Sequence, residues 1–96
     1  MKLVFRRSAG EDLEDAGLFY EAREPGLGER FLDDVDRLLL QIQENPVRFP
    51  VVDHGVRRGL VKSFPYAIYF LVDEGAIIVL GVLHQHRKTG VWLRRL

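Results

Sequence analysis

The sequence predicts an α+β fold: an N-terminal strand, a two-helix hairpin packed on a small antiparallel β-sheet, and a short C-terminal segment. Three observations predict it. Residues 9–20 and 27–42 carry apolar side chains at helical spacing, Glu24-Pro25-Gly26 separates these two stretches, and residues 66–72 and 76–83 are apolar at both parities. A chain of 96 residues has room for one domain around one hydrophobic core, and its 47% apolar content lies well above that of disordered chains.

Lys2 to Arg6 alternates polar and apolar, with Leu3 and Phe5 on one side, as a short opening strand does. Ser8 followed by Glu11 has the spacing of a capping box and places the start of the first helix there, with acidic residues in its first turn suiting the helix dipole. Ala9, Leu13, Ala16, Gly17 and Tyr20 share one face of that helix. Pro25 biases Glu24 away from helical angles and Gly26 tolerates positive φ, so a tight helical hairpin follows. The second helix carries Leu27, Phe31, Val35, Leu38, Leu39 and Ile42 in one stripe and ends near Asn45-Pro46. Gly28 falls on the same side, where a missing side chain lets the first helix approach. Leu18 and Leu40 point away from both stripes, as surface residues or a dimer contact.

Asp53-His54-Gly55 reads as a turn into a strand from about Val56 to Lys62. Arg57 on one parity and Arg58 and Lys62 on the other leave neither face apolar, the pattern of a sheet edge or groove wall. Tyr66–Val72 and Ala76–Leu83 read as central strands covered on two faces, joined at Asp73-Glu74-Gly75. Two helices cover only one side of such a sheet. The other needs the C-terminal Val91, Trp92, Leu93 and Leu96, or a partner protein.

Charge and composition narrow the function. Formal net charge is zero, yet residues 1–48 carry 7 basic and 11 acidic side chains, net −4, and residues 49–96 carry 7 and 3, net +4. A basic half suits contact with a polyanion or an acidic peptide. There is no cysteine, which removes disulfides, thiolate zinc sites and thiol nucleophiles and fits a cytoplasmic protein. No run is apolar enough to span a bilayer or act as a signal segment, so no membrane partner is expected. No phosphate-binding glycine loop, serine elbow or metal-ligand spacing is present, and no cofactor or metal is expected.

Three clusters remain as candidate chemistry. Arg57, Arg58 and Lys62 suit phosphate contact, and equally suit a guarded strand edge. His84-Gln85-His86-Arg87-Lys88 ends a buried strand; extended geometry puts His84 and His86 on one side as acid and base, with Arg87 stabilising developing negative charge. Trp92 with Arg94 and Arg95 can stack on a base, anchor an interface, or plug the uncovered face of the sheet.

The order of parts resembles a known family. The acidic first helix with Phe19-Tyr20, then Pro25-Gly26-Leu27-Gly28 with Arg30-Phe31, then Pro46 and Phe49-Pro50, lead into Arg57-Arg58 and Phe64-Pro65-Tyr66 with Ile68 and Tyr69. His84, Arg87, Trp92 and Arg95 close the series. Together they resemble the RelE/ParE toxins of bacterial type II toxin-antitoxin systems over nearly the whole chain. That resemblance implies a helical hairpin on a small sheet and a cognate antitoxin wrapped around the toxin, as a toxin-antitoxin hetero-oligomer or alongside a homodimer. It also implies one of two targets: DNA gyrase, poisoned by ParE-like members, or the ribosome and its mRNA, cut by RelE-like members. An inactive relic that only binds antitoxin is the third reading. Carried over, Arg57, Arg58, Lys62 and Arg87 fall at basic site positions, His86 and Arg87 being catalytic only in a RelE-like enzyme. Trp92 stands where nucleases of the family have a tyrosine, and indole has no titratable hydroxyl. The Tyr-Glu near the end of the first helix and the Phe-Pro-Tyr entry to the central strand look ParE-like, so gyrase is the expected target.

Overall fold

The computed structural model describes residues 1–86 and 90–96. Strand β1 (Lys2–Phe5) is followed by helices α1 (Arg7–Arg23) and α2 (Leu27–Glu44), and a single 3-10 turn, Pro46–Arg48, leads to β2 (Val51–Asp53). Strands β3 (Val56–Leu60), β4 (Tyr66–Asp73) and β5 (Ala76–His84) follow, and a second 3-10 segment spans Val91–Arg95. The sheet order is β1-β5-β4-β3-β2. The last four strands form an antiparallel meander that returns to β1, and β1 joins β5 in parallel, so the sheet is mixed. Strand direction is fixed by the route of the whole chain, and residue alternation carries no record of it.

The hairpin of helices forms where the residues demand. Gly26 takes the left-handed conformation at φ 89° between the helices. Glu21 then closes the turn, its carboxylate accepting from the backbone N–H of Gly26 at 3.0 Å and of Gly28 at 3.0 Å. It thereby serves two of the four N–H groups that the start of α2 leaves without helical partners, in place of a capping side chain at Gly26. Gly28 lets the helices meet: a Cβ there would lie 2.6 Å from the Gly17 carbonyl oxygen.

The start of α1 differs from the capping box. The helix begins at Arg7 behind an extended Arg6, no side chain caps it, and no acidic residue lies in its first turn. The Ser8 hydroxyl instead donates to the Leu80 carbonyl at 3.2 Å, a partner 72 positions away. Ser8 lies inside the helix at its second residue, so its hydroxyl is not at the N-cap and turns to the sheet.

Both faces of the sheet are packed. On the helix side Phe31, Val35, Leu38, Leu39 and Ile42 of α2 meet Ile68, Phe70, Ile77 and Val79. Tyr20, Phe31, Phe64 and Tyr66 form an aromatic cluster there, with ring centroids 4.8 to 6.0 Å apart. The other face has its own cluster of Val56, Ala67, Tyr69, Leu80, Leu83 and Trp92, which the expectation of one core did not include. The C-terminal segment is what covers it. Trp92, only 5% exposed, stacks on Tyr69 at 4.1 Å and 10°.

The two sheet hairpins use paired positive φ angles, His54 at 45° with Gly55 at 77° and Glu74 at 45° with Gly75 at 77°. That pairing gives the type I′ twist which two-residue hairpins favour. The register of β4 and β5 slips between Tyr69 and Phe70: Tyr69 faces Gly81, Phe70 faces Val79, and Leu80 is the extra residue of a bulge. The bulge switches which residues of β5 face the helices. Strand β3, expected at an edge, is one strand in from it at its start, because β2 pairs with Val56 and Arg57.

Candidate functional site

The basic residues of the second half divide between those absorbed by the fold and those left on its surface. Successive strand residues face opposite sides of a sheet, so Arg57 and Arg58 diverge. Arg57 stands opposite Phe70 and donates to the carbonyls of Val47 at 3.1 Å and Phe49 at 2.7 Å, tying the first 3-10 turn to β3. Arg58 stands opposite Tyr69 and is exposed, as is Lys62 beyond the end of the strand. The three cations close in sequence therefore do not form one patch.

Arg95 is also committed to the fold. Pairing with β1 ends at Val79, and among the described residues no strand covers the same edge of β5 beyond it. Side chains take the place of that strand. Asp12 of α1 accepts from the Val82 N–H at 3.0 Å, while Arg95 donates to the Leu80 carbonyl at 3.3 Å. Arg95 and Asp12 hold each other by two contacts, at 2.5 and 3.3 Å, both largely shielded from solvent. Gly81 makes room for them, since a Cβ there would lie 2.8 Å from the Arg95 guanidinium. Arg94, next in sequence, is exposed. Trp92 lies inside the second core; its indole N–H has no acceptor among the described residues, and its face is spent on Tyr69.

The histidines come together in a different way from the extended pair expected. β5 ends at His84, opposite Tyr66, and His86 lies in the turn that follows. The His86 backbone N–H donates to His84 Nδ1 at 3.1 Å, so neutral His84 carries its proton on Nε2. The rings are 5.1 Å apart, and the His84 ring meets Tyr66 edge to face at 5.3 Å. Beside them a depression of about 160 Å³ is lined by His84, Tyr66, Phe19, Asp12 and Asp15 among others. Among the described residues, no group of three or more His, Asp or Glu side chains is placed to hold a metal ion. Arg87, the cation expected to complete this cluster, lies outside the described residues, as do 88 and 89.

The sequence reading missed Ser8 and Asp12 as partners of β5 and Asp15 as a neighbour of the depression at its end. No local signal marks them: the partners of Ser8 and Asp12 lie 72 and 70 positions along the chain. Tyr20, close to Tyr66, has its hydroxyl pKa pushed above the ordinary 10.0, first by burial and then by Tyr66, with Arg23 opposing the rise.

The comparisons with known proteins agree with this architecture. No curated protein matches the sequence significantly. Among solved structures, the chain is similar to one described as "Chromosomal ParDE TA system from P. aeruginosa", with a TM-score of 0.78 and 22% identity over 88% of this chain and 95% of the other. At that identity the likeness establishes the fold of two helices on a five-stranded sheet. The family evidence is the sequence itself: residues 3–89 match the family described as "ParE toxin of type II toxin-antitoxin system, parDE". With nearly the full length matched and the fold in agreement, this chain belongs to the ParE toxin family of type II toxin-antitoxin systems.

Proposed function

We propose that this chain is a toxin that arrests growth by binding DNA gyrase, acts in the cytoplasm, and is silenced by a cognate antitoxin. Such a pair would stabilise the replicon that carries it. The observation that favours binding over catalysis is the fate of Trp92, which stands where the family's nucleases have a tyrosine. Its ring is buried against Tyr69 and can neither exchange a proton with RNA nor stack on a base. Arg57 and Arg95 are likewise held by carbonyls and by Asp12, which removes two of the cations a phosphate-cutting site would use. Of the candidate residues, Arg58, Lys62, His86 and Arg94 are exposed and His84 is half-buried, so these remain available to a target.

A second reading, a ribosome-dependent endoribonuclease, is favoured by one observation: His84, His86 and Tyr66 gather at the end of β5. One pair of measurements separates the two. Purified protein added to a gyrase supercoiling reaction should block supercoiling, and transcripts in induced cells should remain intact while the DNA-damage response rises. Rapid transcript cleavage with supercoiling unaffected would reverse the assignment.

A further inference from the structure

The C-terminal segment buries the second face of the sheet at Tyr69, Leu80 and Leu83, and leaves the end nearer the β4–β5 turn partly open. There the pairing register carries an apolar row across three strands: Val4 stands opposite Ile78, and Ile78 opposite Leu71. Their neighbours Leu3, Ile77 and Phe70 pack in the helix-side core, so alternation puts this row on the face away from the helices. Val4 is 36% exposed, and Ile78 and Leu71 are half-buried. Val91 and Leu93 of the C-terminal segment pack on the same second cluster and stand over it as a ridge, with Leu96 exposed at its end. The face also carries opposite charge at its two ends. Asp73 and Glu74 are exposed at the turn, with Lys2 across Ala76 from Asp73, whereas Arg58, opposite Tyr69, and Arg94, two residues after Trp92, are exposed at the other end.

Shape and charge together select the occupant. Strand β5 is paired on both sides along this row, so the face offers side chains alone and has no free backbone for an added strand. Nucleic acid laid along it would meet Asp73 and Glu74. A second copy of this chain meets neither obstacle. Turned end for end about a twofold axis lying across the strands, it sets its own ridge on this row and receives the first copy's ridge on its row. The same rotation brings its Arg58 and Arg94 end toward the Asp73-Glu74 turn. Charges that are separated within one copy thus become complementary between two.

We propose that this chain self-associates through the second face of its sheet, as an isologous dimer in which the C-terminal ridge of each copy rests on the Val4-Ile78-Leu71 row of the other. A few aliphatic side chains with charged margins fall short of the roughly 800 Å² per partner of a standard interface, so the dimer is a weak one, with Kd in the micromolar range or above. On the function proposed above, the monomer is the form that leaves Arg58 and Arg94 open to a target. Self-association itself is measured without any target, so its outcome is separate from that reading.

Sedimentation velocity of the purified chain over about 1 to 500 µM tests the dimer. The mass should rise from 11.1 kDa toward twice that value as concentration increases. Val4→Glu places a charge on the exposed end of the apolar row and should weaken the dimer at least about tenfold, with the circular dichroism spectrum unchanged. Arg58→Glu and Asp73→Lys alter only exposed side chains and leave the core intact. Each should weaken the dimer about threefold or more, and the double variant, which exchanges the two charges between the ends of the face, should recover most of that loss. A chain that stays at 11.1 kDa across the whole range overturns the proposal. So does a dimer indifferent to Val4→Glu and to both charge reversals, since such a dimer would use another surface.

Discussion

Arg95 and Asp12 illustrate how single residues change meaning once the chain is folded. In the sequence one is a C-terminal cation and the other a helix-surface acid; in the fold they cover a strand edge together with Ser8. A largely buried pair loses more when one partner is removed than the pair contributes net, because the survivor is left uncompensated. Asp12→Ala and Arg95→Ala should therefore each lower unfolding free energy by about 2 to 3 kcal/mol, and the double variant should cost less than the sum of the two. Urea midpoints of the three proteins check this, and strict additivity would show that the two residues do not interact. Tyr20 carries the clearest pH signature. Its pKa is raised in the folded state, so the folded chain holds the hydroxyl proton more tightly than the unfolded chain does. The stability it contributes is fully present below the unfolded value of 10.0 and is lost as pH rises through the higher folded value. The fall in urea midpoint from pH 9 to 11 should be shallower in Tyr20→Phe than in wild type.

At the scale of elements, the helices were the most legible part of this chain. The stripe from Phe31 to Ile42 is buried as spaced, the break at Glu24-Pro25-Gly26 is where the hairpin turns, and Gly28 is where the helices touch. Each is dictated by side chains a few positions apart. The capping box at Ser8 failed because the helix begins one residue earlier, at Arg7, which places Ser8 inside the first turn, where its hydroxyl donates to the Leu80 carbonyl. The hairpin at Asp73-Glu74-Gly75 was legible too, whereas Asp53-His54-Gly55 read only as a turn into a strand and β2 before it went unforeseen; the second turn holds a residue that fits it poorly. Glu74 sits at φ 45°, a conformation in which Asn is far less strained. Glu74→Asn should raise stability by about 0.5 to 1 kcal/mol, measured by chemical denaturation, with no change in the circular dichroism spectrum. A drop instead would mean that Glu74 makes a contact worth more than the strain.

At the scale of the whole molecule, the C-terminal segment is what makes the sheet two-sided. Trp92 is the largest side chain on the second face, and removing it leaves a cavity that the strands cannot collapse around. Trp92→Ala should cost about 3 to 5 kcal/mol, whereas Trp92→Phe, which keeps a ring against Tyr69, should cost clearly less and retain growth arrest. Loss of toxicity in a stably folded Trp92→Phe protein would show that the indole itself meets the target.

By itself the sequence determined the α+β class, the helical hairpin, the turns and the apolar faces, because these follow from periodicity, proline and glycine within one or two turns of chain. It also carried the family resemblance that the match over residues 3–89 bears out. The tertiary structure alone decided that β1 runs parallel to β5, that Leu80 bulges, and that Arg57 and Arg95 serve the fold while Arg58 and Arg94 face solvent. Those outcomes depend on which distant backbone groups lack partners after the sheet has formed, and no stretch of neighbouring residues encodes that.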